Sequence, residues 1–208
     1  MMTEKIEDPA ADIAWMRRVA EEGRQAPMQG ASILFGAGLI YGAGSVGHWA
    51  VASGLVELGG DAINYIWLAA TLLFFLLLVT VLTRLKQNRG VVTSANLASG
   101  TAWASVGWGI FALAVSMFAL SWRMGGEAAL VVLALMPSMI MVFYGSGWAV
   151  TAAMQRSKAL WALAIASFAA APLLALLVGQ AEQYLAYAAA LFLLMGLPGF
   201  LMMRAARG

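Results

Sequence analysis

A single histidine, no cysteine and ten carboxylates limit what this 208-residue chain can do chemically. His48 is the one imidazole able to ligate a metal or carry a proton. Its functional readings are a pH-sensitive group, a metal ligand or a haem ligand. A metal site calls for further His, Cys, Asp or Glu ligands, and bis-histidine haem needs a second imidazole that the sequence lacks. A His/Met haem pair stays open with 13 methionines present. Against these stands the plain reading of a histidine beside Trp49, near the end of an apolar segment, as an interfacial packing residue. None of the acids lies inside a long apolar stretch, so the buried carboxylate used in proton or sodium coupling is missing. Lys5, Lys86 and Lys158 also stand outside these stretches, which leaves a retinal Schiff base no attachment point. Paired carboxylates, a Ser–His–Asp set and HExxH are all absent, so the expectation is no enzyme, no cofactor and no metal site.

The residues that remain are aromatic, hydroxyl-bearing, proline and glycine, and they sit in an apolar background: 62% of the chain is hydrophobic and 11% charged, where soluble domains are nearer half and a quarter. No Asp, Glu, Lys or Arg occurs in residues 30–53, 62–83, 91–122, 128–155, 159–181 or 183–203. Each stretch is long enough to cross a hydrocarbon core as a helix, and none shows the polar face of a soluble helix. The expected fold is an all-α integral membrane protein, with spans at about 29–53, 63–83, 97–121, 128–153, 159–178 and 184–203. Short loops join these six transmembrane helices as three successive helical hairpins. Residues 204–208 form a tail, and the largest internal loop, Arg84 to Asn96, is too short for a soluble catalytic domain.

Charge predicts the orientation. With the N-terminus inside, every basic residue except Arg123 falls on the cytoplasmic side, and Glu57, Asp61, Glu127 and Glu182 fall opposite. The calculated pI of 9.2 therefore reads as topology and implies no nucleic acid partner. The expected place is a bacterial inner (plasma) membrane, with both termini cytoplasmic. Residues 1–28 form a cytoplasmic segment in which about 8–23 reads as a short amphipathic interfacial helix. Asp8 caps it, Pro9 opens it and Gly23 ends it, with Ile13, Trp15, Met16, Val19 and Ala20 opposite Arg17, Arg18 and Glu21. That helix rests on headgroups in the simpler reading and docks a protein partner in the sharper one.

Gly42-Ala43-Gly44-Ser45-Val46-Gly47 matches GxGxxG literally, but inside a continuous apolar run it has no strand–helix context for a dinucleotide. Gly38 with Gly42, and Ala43 with Gly47, have the four-residue spacing that lets helix backbones touch, and these four residues form the expected helix-packing interface. Ser45-Val46-Gly47 recurs as Ser105-Val106-Gly107, a hint of a repeat. Pro137, Pro172 and Pro198 interrupt the last three spans and should free the carbonyls of Leu133, Phe168 and Leu194. Gly145-Ser146-Gly147 adds an expected local unwinding. A candidate polar-aromatic pocket gathers Tyr41, His48, Trp108, Pro137, Tyr144, Ser146, Trp148 and Pro172, with Ser105 and Thr101 nearby.

Two functions follow. The first is a structural or regulatory membrane subunit that assembles by helix–helix contact, with itself or with a membrane or cytoplasmic protein partner in the lipid bilayer. There, Gly38→Leu or Gly42→Leu should break a complex. The second is a passive or partner-driven transporter or channel for a small uncharged or apolar molecule, where Gly145→Leu or Gly147→Leu should fill its cavity.

Overall fold

A computed structural model describes residue 13 and residues 30–59, 61–87 and 94–205, and these residues are almost entirely helical. The expected amphipathic helix at 8–23 lies outside the described residues apart from Ile13, as do residues 206–208 of the tail. The helices are α1 (Ala31–Ala52), α2 (Asp61–Gln87), α3 (Ser94–Met124), α4 (Gly126–Ala134), α5 (Met136–Gln155), α6 (Lys158–Leu176), α7 (Glu182–Leu191) and α8 (Leu197–Ala205), with a π-helical segment, Phe192–Gly196, between the last two. α4 with α5, and α7 with α8, each traverse the bundle as one interrupted rod, so the chain crosses it six times.

Five of these rods are long and apolar enough to cross a membrane: Asp61–Leu85, Asn96–Met124, Ala128–Gln155, Lys158–Leu176 and Glu182–Ala205. The first, α1, is not among them. Its 22 residues reach about 33 Å, a bilayer-spanning length. It carries five glycines with Ser45 and His48 among its apolar residues. The same residues make it a packing helix: α1 contacts α2 along one side and α7, the π segment and α8 along another.

The helix pairings divide the bundle into two groups of three. α1, α2 and the α7–α8 rod form one group; α3, the α4–α5 rod and α6 form the other. In sequence the six rods make three hairpins, yet α6 packs mainly on α5 and meets α7 and the π segment only narrowly. Large buried side chains fill the seam between the groups: Met141, Tyr144 and Trp148 from α5 against Tyr187, Leu191 and Met195 from the last rod.

The connections are short because their chemistry is local. Gly125, with φ 65° and ψ 174°, adopts a conformation essentially reserved for glycine and reverses α3 into α4. At the other end α5 turns into α6 through two residues. Arg156 sits in the left-handed region with φ 49°, and the N–H groups of Arg156 and Ser157 return to the carbonyls of Ala153 and Ala152. Ser157 then caps α6 by accepting from the Leu160 N–H at 3.4 Å. An arginine there carries the left-handed penalty that glycine escapes. Arg156→Gly is therefore expected to raise stability by about 1 kcal/mol, read as a later midpoint in SDS-titrated unfolding.

Two expectations are corrected. The 145–147 segment is regular helix within Met136–Gln155; the break in this rod lies at Leu135, two residues before Pro137. Proline suits the first turn of the new helix, where no N–H is needed, so the chain restarts there and does not unwind further on. The Ser-Val-Gly recurrence is not structural. Val106 is buried while Val46 faces out, and Gly107 stands in open space while Gly47 faces Ile66.

Candidate functional site

The polar and aromatic side chains inside the bundle fall into two clusters. The first lies where α1 ends and α2 begins. The Trp67 indole N–H donates to His48 Nδ1 at 2.9 Å, and the imidazole stacks on Tyr184 with ring centroids 3.4 Å apart and 21° between planes. Tyr41, two turns back along α1, lies against Trp67 and Phe74 and is hydrogen-bonded to Thr71. α1 supplies His48 and Ser45 on one face, α2 supplies Trp67 and α7 supplies Tyr184.

The second cluster occupies the seam. Trp148, wholly buried, donates from its indole to the carbonyl of Leu194 at 3.0 Å. This is the acceptor that Pro198 releases by lacking an N–H, and the π segment ends two residues before that proline. Trp103 meets Trp148 edge-on at 5.0 Å and donates to Thr151 Oγ1 at 3.1 Å. Tyr144 lies against Trp103 and within electrostatic reach of Tyr41 and Tyr187.

A residue that the sequence reading passed over closes the seam at the α1–α2 end. Gln183, with no exposed surface, donates from Nε2 to the carbonyl of Ala134 at 2.6 Å and to that of Leu174 at 3.2 Å. Both acceptors belong to last turns of helices, where the regular carbonyl partners run out; that of Leu174 also accepts from the Leu177 N–H at 3.2 Å. One amide thus caps α4 and α6 together. With carbonyls on both sides the amide must present its NH2, and Oε1 is left buried without a partner. Its sequence signal was faint, a lone glutamine at the edge of a charge-free stretch.

The expected pocket is only partly assembled. Tyr41 and His48 enter the first cluster, Tyr144 and Trp148 the second, and Pro137 is buried at the restart of α5. Trp108 does not join them. It is 72% exposed on the outer face of α3, against Phe111. Ser146, Ser105 and Thr101 also face outward and donate to their own helices, at Val142, Thr101 and Leu97. Pro172 lies on the exposed side of α6. Helix rotation decides all these placements. The lipid and the core are both apolar, so hydropathy alone does not show which face turns inward.

The glycine positions also resolve. A Cβ on Gly38 would run into the Gly196 backbone, and one on Gly42 into the Phe192 ring; both glycines face the last rod of the same chain. Gly47 faces Ile66 on α2, and Ala43 is exposed. Gly145 and Gly147 lie against Phe168 and Trp103. A bulky residue at any of Gly38, Gly42, Gly145 or Gly147 therefore strikes a neighbouring rod of this chain. The substitutions expected to separate a complex or to plug a cavity act instead on internal packing, because short connections bring these rods together first.

Replacing Trp148 by Phe keeps a ring but removes the N–H, leaving the Leu194 carbonyl unpaired in an apolar seam. The expected cost is about 2 kcal/mol, seen as earlier SDS-induced unfolding. Trp122→Phe is the control. Trp122 is 93% exposed, and its replacement should move the midpoint by less than about 0.5 kcal/mol.

Among the described residues no three His, Asp or Glu side chains gather in a way that could hold a metal ion. No protein-family model matches this chain, and neither do the curated proteins or the solved structures compared with it.

Proposed function

We propose that this chain is a non-enzymatic membrane subunit that acts by assembling in the bilayer, with both termini on the cytoplasmic side of a bacterial inner membrane and α1 as the sixth span. The observation that carries the reading is the outward display of two helices. Only 6% of the apolar window of Asp61–Leu85 and 11% of that of Asn96–Met124 are buried within the bundle, against 22–39% for the other three spans. α2 turns Leu68, Leu72, Leu76 and Val79 outward on one face at helical spacing, and α3 turns out Phe111, Val115 and Phe118. Five side-chain donors, by contrast, join helices of this chain, as interhelical hydrogen bonds do in lipid-embedded bundles.

The absence of cysteine makes a clean test possible. Single cysteines placed in turn at residues 68–79 of α2 and 108–118 of α3 are exposed to a thiol cross-linker in native membranes. Assembly through one of these faces predicts an adduct of fixed mass, to a second copy or to one partner, that recurs every three to four residues. Freely distributed or absent adducts on both helices overturn the reading.

One observation favours a second reading, a passive path for a small uncharged molecule. The rod breaks at Leu135, and the π segment at 192–196 lies on the same seam. Irregular backbone at membrane depth is tolerated where it faces protein or a cavity. Flux of small uncharged solutes into vesicles carrying the protein, above that of protein-free vesicles, would establish that reading in place of the first.

A further inference from the structure

Serines inside apolar helices of this chain have a habitual partner. Ser105, Ser116, Ser146 and Ser167 each donate to the carbonyl four residues back, at 2.8–3.0 Å. Ser45 does not. Its side chain has no exposed surface, and its Oγ has no hydrogen-bond partner. One turn further along the same face of α1 is His48, 9% exposed. Its Nδ1 is occupied as the acceptor of the Trp67 N–H, so the neutral ring carries its proton on Nε2. That N–H has no acceptor among the described residues. Two donors therefore stand one helical turn apart, with about 5–6 Å between their Cβ atoms, beside the flat surfaces of Tyr184 and Trp67.

We propose that Ser45 and His48 form a two-donor site for an uncharged carbonyl oxygen. Donors of this kind left unmatched in an apolar bundle are costly, and an acceptor satisfies both. Charge argues against an anion. The formally charged groups at this end of α1, α2 and α7 are the exposed acids Glu57, Asp61 and Glu182. The described basic residues Arg84, Arg156, Lys158 and Arg204 belong to the opposite end of the bundle, and Arg123 belongs to α3 in the other group of helices. A carboxylate or phosphate would meet no countercharge. Depth narrows the class further. His48 is four residues from the end of α1, about 6 Å along the axis, which is the level where apolar core gives way to the interface. Two sources supply a neutral carbonyl there: the ester linkage of a phospholipid, and the ring carbonyl of a quinone.

A single histidine makes the test direct, since nitrogen-15 labelling yields one pair of ring signals. The full chain is placed in nanodiscs of ether-linked phosphatidylcholine, which has no ester carbonyl, then of ester-linked phosphatidylcholine, and then of the ether lipid with decylubiquinone. The Nε2–H signal is expected to move downfield when a carbonyl is supplied, and its exchange with water to slow by about tenfold, the factor that one hydrogen bond provides. A change with ester lipid alone assigns the site to lipid; a change on adding decylubiquinone to the ether lipid assigns it to the quinone. Ser45→Ala preserves the helix and should cut the slowing by roughly 3–10-fold in whichever arm responds. An Nε2–H signal identical in all three discs, as bound water alone would give, overturns the proposal. So does a response that Ser45→Ala leaves intact.

Discussion

Gly38→Leu is expected to abolish the folded bundle. A Cβ at this position would collide with the backbone of Gly196 and come within 3.0 Å of the Leu191 carbonyl oxygen. Backbone cannot rotate aside as a side-chain tip can, and here it is the π segment, already constrained by the Trp148 hydrogen bond to Leu194 and by Pro198 beyond it. Gly199 repeats the arrangement a turn further on, against the Phe35 N–H and the Ala31 carbonyl. α1 and the last rod thus approach at backbone contact, the geometry that small residues permit in lipid. The expected loss is about 4 kcal/mol or more, enough to exceed the margin of many domains. The measurement is SDS-titrated unfolding followed by circular dichroism, with size-exclusion chromatography to detect aggregation. Two glycines on the same helix grade the effect. At Gly36 the obstacle is the movable end of Leu77, so alanine there should cost little; at Gly44 a methyl meets Ala70 Cβ at an ordinary 3.5 Å, so alanine should be neutral within about 0.5 kcal/mol. Equal sensitivity at Gly38 and Gly44 would contradict the packing argument.

That graded series also shows what the sequence can and cannot tell. Charge-free stretches locate the helices to within a few residues, because leaving a charge in hydrocarbon is expensive enough to override other preferences. Of the three prolines, the one at 198 is legible in the same way: its ring dictates a free acceptor at Leu194, and the bundle supplies Trp148 to meet it. The four-residue spacing of Gly38 and Gly42 correctly marks a close approach, but not the partner. The contact with Gly196 depends on which of five other rods lies opposite, and nothing local encodes that. Trp108 and Trp148 are equally good pocket candidates in the sequence, and they differ by helix rotation alone. In water, polarity would have separated the exposed ring from the buried one; in lipid both faces are apolar. Gln183 was missed for a related reason. At the edge of a span a glutamine is unremarkable, and its weight comes from two carbonyls 49 and 9 residues away in sequence.

Gln183→Leu is accordingly the second large effect. Leucine fills similar space but donates nothing, so the carbonyls of Ala134 and Leu174 lose their Gln183 donor in a buried, apolar setting. The Ala134 carbonyl is left unpaired, at about 1–3 kcal/mol, while that of Leu174 keeps the Leu177 N–H; the buried Oε1 that disappears with the amide gives part of this back, so the net loss should be about 2 kcal/mol. Hydrogen exchange should quicken at the ends of α4 and α6, the helices the amide caps. Gln183→Asn is shorter by one methylene and should fall between, while the exposed neighbour Glu182→Ala should be silent. The seam supplies a stricter test. Trp148 and Gln183 join the last rod to the other group at different levels, through Leu194 and through Ala134 with Leu174. If the groups part as units, the double variant Trp148→Phe with Gln183→Leu should cost less than its two single losses added together, because the first rupture already loosens what the second would break. Strict additivity would instead mean that each hydrogen bond holds only its own pair of helices, and that the two groups of three do not move as bodies.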